Sequence, residues 1–198
     1  MEKYVITIAR QFGSLGRPIA RELAERLGIE YYDRDIVDAV SKKTGIDVSD
    51  VSEHEEKAKH SYLYMKFPLG KGTTEIQNKI FETESALINE YADHESCIIV
   101  GRCSDYILEN RKNSLHIFIY APYEARVRNC VDYLKMNMED AKKRIVEVDK
   151  ARDAYHNSYA HFLPADINHK NVMIDSSILG IQGTAKVLEQ IVREKFDL

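Results

Sequence analysis

Long apolar runs are missing from this sequence of 198 residues. No stretch approaches the roughly 18 consecutive apolar residues that a membrane-spanning helix needs, so we expect no association with a membrane. A basic excess is missing too, because 28 lysine and arginine residues stand against 32 aspartate and glutamate residues and the formal net charge is −4. General nucleic-acid binders normally carry such an excess. We therefore expect small molecules rather than nucleic acids as partners.

Cysteine is also scarce, with three residues, Cys97, Cys103 and Cys130. Their number is odd and no two of them form a CxxC pair, which is typical of reduced thiols rather than of a disulfide framework. The N-terminal residues lead directly into a strand-like segment, without the pattern of a secretory signal peptide. The sequence therefore predicts a cytoplasmic protein.

Short apolar runs alternate with amphipathic segments along the chain. The sequence predicts strands at residues 4–9, 31–33, 97–100, 115–120 and 172–175. Strands that are apolar nearly throughout and are separated by helices are typical of a parallel sheet covered on both faces. We therefore expect one α/β domain over residues 1–198 with a five-stranded parallel sheet, whose ligands bind at the carboxyl ends of the strands.

Two segments differ from this alternation. Residues 46–72 are polar, charged and only weakly periodic, and we predict that they form a small insertion. A long helix is predicted to start near Asn137, and its polar positions are rich in lysine and arginine. These basic side chains either form one solvated face of the helix or belong to a binding site.

A glycine-containing loop follows the first strand and precedes a helix. It consists of Gly13, Ser14, Leu15, Gly16 and Arg17. Glycines allow backbone N–H groups to turn toward an anion, and the N-terminus of a helix adds partial positive charge. The loop is therefore a candidate phosphate site; an ordinary tight turn between a strand and a helix is the alternative.

The loop matches the Walker A pattern G-x-x-x-x-G-K-[ST] only in part. When Gly16 and Arg17 are aligned with the Gly-Lys of the pattern, Gln11 stands at the first glycine. Pro18 then replaces the hydroxyl residue. Arginine keeps the charge of the pattern's lysine but not its compact ammonium geometry, so the altered loop retains positive charge in a different arrangement.

The stretch ITIARQFGSLGRPIARELAERLGIEYYD, which begins at Ile6, resembles the opening of the cytidylate kinase-like family, relatives of the bacterial cytidylate kinases. Three later blocks are similar as well: IIVGR from Ile98, LHIFIYAPYEARVR from Leu115 and VMID from Val172. Together they cover nearly the whole chain; residues 46–72 match by position the family's monophosphate-binding insertion. The resemblance implies the three-layer α/β/α fold of P-loop kinases, with residues 136–163 as the lid region.

The resemblance also implies a function for each matching residue. The loop from Gly13 to Arg17 would hold the β- and γ-phosphates of ATP, accompanied by Mg²⁺. The substrate would be bound by Asp33, Arg102 and Asp149. The catalytic cations would be Arg17 of the loop together with Arg144 and Arg152 of the basic lid helix, where Arg152 compensates from one turn away for an arginine of the family pattern, since phosphoryl transfer depends mainly on positioning and on positive charge.

Several of these residues have a simpler interpretation. Asp33 stands where the N-cap of the next helix is expected, and Arg102 could belong to a salt bridge that caps a helix. The lid pattern of the family also has arginines where this chain has Val148 and Tyr155. No ligand of Mg²⁺ is assigned; Ser14 and Asp105 are the candidates.

Two functions follow from these observations. The first is ATP-dependent phosphoryl transfer to a nucleoside monophosphate, cytidylate-like, or to a similar small acceptor. The second is a nucleotide-binding sensor on the same fold that has lost turnover. The retained basic residues favour the kinase, and the altered loop and lid favour the sensor.

Overall fold

The computed structural model describes residues 3–45 and 71–198, and within them five strands and seven α-helices alternate. The first half contains β1 (Val5–Arg10), α1 (Gly16–Leu27), β2 (Glu30–Tyr32), α2 (Arg34–Thr44) and α3 (Lys71–His94). The second half contains β3 (Cys97–Val100), α4 (Ser104–Ile107), β4 (Ser114–Tyr120), α5 (Tyr123–Asp132), α6 (Met138–Ala160), β5 (Val172–Asp175) and α7 (Gly180–Phe196).

All five strands run parallel, in the order β2-β3-β1-β4-β5. In the centre of the sheet, Ile8 of β1 is aligned with Val100 of β3 on one side and with Ile117 of β4 on the other. The carboxyl ends of these three strands therefore meet at one edge. The prediction of a five-stranded parallel sheet is confirmed, and each observed strand lies within a residue of its predicted position.

Helices cover both faces of the sheet, as the apolar strands predict. On one face Ile6 and Ile8 pack with Leu23 of α1 and Leu188 of α7. On the other face Val5 and Ile99 belong to a second core with residues of α2 and α3. Burying an isoleucine or leucine side chain contributes about 1.5–3 kcal/mol, so these two layers hold the strand ends in place.

The long helix α6 begins where the sequence predicts. Asn137 is its N-cap, and the Asn137 side chain accepts a hydrogen bond of 2.8 Å from the N–H of Asp140. Its first half packs on α5 through Ala141 and Ile145, which are fully buried with Cys130. The second half of α6 passes over the carboxyl ends of the central strands through the contacts described below.

The predicted insertion at residues 46–72 falls almost wholly outside the described residues. Its last two positions belong to the start of α3. Across the described ranges 3–45 and 71–198, no helix is long and apolar enough to span a membrane.

Candidate active site

The loop after β1 has two glycines because neighbouring groups leave no room for a side chain. A Cβ on Gly13 would lie 2.8 Å from the carbonyl oxygen of Arg126 and 2.9 Å from Sγ of Cys130, and Gly13 also has φ of 78°. A Cβ on Gly16 would lie 2.7 Å from Cβ of Arg10. The first glycine thus lets the loop pack on α5, and the second lets Arg10 lie against the start of α1.

The loop ends at the N-terminus of α1. Leu15 precedes the helix with φ of 60°, and its carbonyl accepts the first helical hydrogen bond, from Ile19, at 3.0 Å. The first-turn amide groups of a helix, such as that of Gly16, point toward the helix end that carries partial positive charge. The side chain of Ser14 faces inward, where its hydroxyl donates to the carbonyls of Gln11 and Ile119. The part of the loop whose backbone amide groups are suited to an anion therefore lies at residues 15–17.

Arg17 and Asp33, two residues predicted to belong to the site, form an ion pair. The Arg17 Nε atom lies 2.7 Å from Oδ2 of Asp33, which is buried at the end of β2. The Tyr31 hydroxyl lies 3.4 Å from the same carboxylate, and burial together with the Asp33 charge raises the pKa of Tyr31 to about 12. Asp33 does occupy the N-cap position of α2, but no capping hydrogen bond comes from its side chain.

Two polar side chains of α6 form hydrogen bonds with the backbone at the end of β1 and just after it. Asp149 accepts a 2.7 Å hydrogen bond from the N–H of Phe12 and also pairs with Arg126. One turn later Arg152 donates to the carbonyl oxygen of Arg10 at 3.1 Å. Helix α6 thus contacts the backbone immediately before the glycine loop, through two of the residues predicted to belong to the site.

A cavity of about 30 Å³ lies beneath α6, at the carboxyl ends of β1 and β3. Its walls include three buried arginines, Arg10, Arg102 and Arg152, which are between 4% and 9% exposed. Arginine presents a planar fork of N–H donors that matches phosphate. Three guanidinium groups therefore share this cavity with the carboxylate of Asp105.

Arg102 is held by a carboxylate on α3. Its Nη1 lies 2.9 Å from Oε1 of Glu84, which is fully buried, and Oε2 of Glu84 accepts a 2.6 Å hydrogen bond from Tyr155. Burial and the nearby Glu84 raise the pKa of Tyr155 well above its ordinary value. Arg102 and the next residue, Cys103, both have positive φ, at 60° and 50°. Tyr155, at a position where the family pattern has arginine, therefore binds the partner of Arg102.

A second buried ionic group contributes Asp105 and His156 to the wall of the same cavity. The Asp105 carboxylate contacts Nε2 of His156 at 3.0 Å and Nζ of Lys170 at 2.5 Å. Nδ1 of His156 faces the carbonyl of Phe162 at 2.8 Å. Both ring nitrogens of His156 therefore face oxygen atoms. Burial alone would raise the pKa of Asp105, but its bonds to His156 and the Lys170 charge outweigh burial and hold that pKa well below its ordinary range.

Arg144 differs from the other predicted residues. It lies two turns before Arg152, about 12 Å along the helix, is half exposed and does not line the cavity. Its catalytic role stays a prediction.

Sequence reasoning missed Arg10, Glu84 and His156. The sequence could have indicated Arg10 as a site residue, because it is a basic residue that ends an apolar strand just before the loop. The same holds for Glu84, because it is a charged residue on the buried face of α3, where Ile80, Leu87 and Ile88 also lie.

Comparisons with known proteins agree with this geometry. The chain matches the profile of the cytidylate kinase-like family over residues 5–178. No curated protein matches it in sequence.

Three solved structures illustrate the fold. An uncharacterized protein from Eubacterium ventriosum is 22% identical with a TM-score of 0.69, covering 99% of this chain and 100% of its own. Shikimate kinase from Acinetobacter baumannii in complex with shikimate is 18% identical with a TM-score of 0.50, covering 98% and 94%. A gluconokinase from Sinorhizobium meliloti is 11% identical with a TM-score of 0.55, covering 98% and 95%. The fold is therefore that of the P-loop kinases.

Proposed function

The chain belongs to the cytidylate kinase-like family, and from that premise we propose that it transfers the γ-phosphoryl group of ATP to a nucleoside monophosphate, cytidylate-like, or to a similar small acceptor. One observation carries the proposal: Arg10, Arg102 and Arg152 converge on a cavity at the carboxyl ends of β1 and β3. Parallel sheets bind their ligands at this edge, and a phosphate dianion is a ligand that compensates several buried guanidinium groups.

The phosphate donor has a separate place beside this cavity. The N-terminus of α1 and the loop from Gly13 to Arg17 are the part of the site suited to the β- and γ-phosphates of ATP. Arg17 is 40% exposed in its pair with Asp33, so its guanidinium can reach an incoming phosphate. A Mg²⁺ ion bound to ATP would neutralise part of the charge of the phosphates.

The acceptor and the transferring group lie between the loop and α6 in this proposal. Arg102 binds the phosphate of the acceptor, and Asp33 and Asp149 orient its remaining polar groups. Arg152 contacts both the loop and the cavity, so it is the arginine best placed to stabilise the charge that develops during transfer. Arg17 and Arg144 supply further positive charge.

A nucleotide sensor is the second candidate function. It is favoured by the side chain of Tyr155, which stands at an arginine position of the family pattern and binds Glu84. A tyrosine hydroxyl in that place adds no positive charge for a transition state. Such a protein would bind nucleotides without turning them over.

An assay of ADP release separates the two functions. We expect ATP-dependent release of ADP with CMP or dCMP, and slower release with UMP, AMP and GMP. Calorimetric binding of ATP without turnover of any acceptor would favour the sensor. Absence of both binding and turnover would reject both functions. We propose the cytoplasm as the place of the reaction, which suits an odd number of cysteines without a CxxC pair.

A further inference from the structure

We infer that this site neutralises the phosphates of its nucleotide with arginine side chains and offers Mg²⁺ no ligand from the described residues, so that the chain binds ADP in the absence of a divalent ion. The inference rests on the proposed function, because it concerns the donor nucleotide. It follows from what each candidate ligand of Mg²⁺ does in the structure.

The first candidate ligand is the hydroxyl group of the phosphate loop. In P-loop enzymes a serine or threonine after the loop cation binds Mg²⁺, and Pro18 occupies that position here. Ser14 is the hydroxyl residue within the loop, but it is fully buried and donates to the carbonyls of Gln11 and Ile119. Its own carbonyl accepts a 2.6 Å bond from Ser176, which fixes this inward orientation.

The second kind of candidate ligand is a carboxylate. Among residues 3–45 and 71–198, four carboxylates near the loop and the cavity contact a cationic side chain. The pairs are Asp33 with Arg17, Glu84 with Arg102, Asp105 with His156 and Lys170, and Asp149 with Arg126.

These pairs leave little attraction for a second cation. Mg²⁺ requires an octahedral set of oxygen ligands at about 2.0–2.1 Å and gives up its water reluctantly. A carboxylate already in contact with a guanidinium or ammonium group would have to break that pair, which for buried groups such as Glu84 is strongly destabilising. Among residues 3–45 and 71–198 there is also no group of three or more His, Cys, Asp or Glu side chains that could hold a metal ion.

Arginines supply the positive charge instead. Arg17 stands at the end of the loop, and Arg152 lines the cavity and contacts the carbonyl of Arg10 just before the loop. Charged hydrogen bonds between arginine and phosphate are strong, and their strength does not depend on a metal ion. Mg²⁺ bound to the nucleotide lowers the negative charge that these arginines attract.

Calorimetry with ADP tests this inference directly on the full chain. We expect ADP to bind in EDTA at least as tightly as in excess MgCl₂, and inorganic pyrophosphate to bind in EDTA as well. Binding that is tightened about tenfold or more by MgCl₂ would overturn the inference while leaving the proposed function intact. Absence of binding in both buffers, together with absence of ADP release, would reject the proposed function and this inference with it.

A variant identifies the source of the positive charge. Arg152→Gln should weaken ADP binding more in EDTA than in MgCl₂, because a metal ion carried by the nucleotide can replace the missing charge. Lys186→Gln is the matched control, since Lys186 is an exposed cation on α7, and it should change neither affinity. An equal loss of affinity for Arg152→Gln in both buffers would contradict the role of arginine charge. If Arg152→Gln does not fold, the ADP affinities of the wild-type chain in EDTA and in MgCl₂ test the inference by themselves.

Discussion

At the scale of the residue, the ion pair between Arg17 and Asp33 changes how the glycine loop is interpreted. The sequence predicts that Arg17 is the cation of a phosphate loop, and the structure places it against Asp33, 16 positions away. An arginine in such a pair is oriented before a phosphate arrives. It also keeps a buried carboxylate from remaining without a counter-charge.

The charge of Arg17 is open to a direct test. We expect Arg17→Ala to weaken ATP binding by about 1.5–3 kcal/mol, the usual value of a charged hydrogen bond, whereas Arg17→Lys should retain most of the affinity. Isothermal titration calorimetry measures both variants. Equal ATP affinity of the wild type and Arg17→Ala would remove Arg17 from the site.

His116 gives a prediction on pH. Its ring lies in the sheet between the Thr7 hydroxyl at 2.8 Å and the Ser114 hydroxyl at 3.1 Å, and burial lowers the pKa of His116 below its ordinary value. As pH falls below about 6.5, the ordinary histidine pKa, the unfolded chain takes up a proton that folded His116 refuses. The unfolded state then binds more protons, so the stability present above this pH is lost as the pH falls.

Urea unfolding at several pH values checks this sign. The free energy of unfolding of the wild type should fall between neutral and mildly acidic pH more than that of His116→Gln, which has no group to titrate at this position. All other ionisable groups are shared by the two proteins. If the free energies of unfolding of the two proteins change in parallel with pH, His116 does not contribute to the pH dependence of stability.

At the scale of the element, α6 is held to three parts of the molecule by side chains on one face. Asp149 reaches the loop after β1, Tyr155 reaches α3 and His156 reaches α4. A displacement of α6 would therefore change the contacts of the loop and of the cavity at the same time. Its removal from the sheet would separate all of these pairs.

Glu84 is the residue of α3 for which a large effect is expected. Glu84→Gln removes the carboxylate that pairs with the buried Arg102, and removing one partner of a buried pair costs about 3–5 kcal/mol. Tyr155→Phe removes only a hydroxyl from the same carboxylate and should cost about 1 kcal/mol. Urea unfolding compares the two variants; similar small decreases in stability for both would show that Arg102 has another compensating partner.

Arg152 is the residue of α6 that should affect turnover. We expect Arg152→Ala to lower kcat about tenfold to a hundredfold, which corresponds to removing one charged hydrogen bond from the transition state, with a smaller rise in KM for ATP. Lys142→Ala is the control, because Lys142 is exposed on the same helix. A kcat of Arg152→Ala equal to that of the wild type would assign Arg152 to structure alone.

At the scale of the whole molecule, local pattern predicted the architecture well. Continuous apolar runs marked all five strands, and the glycine loop and the start of α6 near Asn137 were found where short-range rules place them. The family resemblance then selected Arg102 and Asp149, and Arg152 was selected as a basic residue one turn from the family's arginine positions; the structure brings all three to one edge of the sheet. These features depend on residues that are close in sequence or on a pattern that recurs across the family.

The sequence by itself determined the strands, the helices, the glycines of the loop and the scarcity of hydroxyl ligands at its end, because each depends on periodicity or on neighbouring residues. Only the tertiary structure decided the charge pairing. Arg152 and the carbonyl of Arg10 are 142 positions apart, and His156 and Asp105 are 51 apart. No local rule chooses among so many acids and bases, because which of them meet depends on the order of the strands and on the rotation of α6 over the sheet.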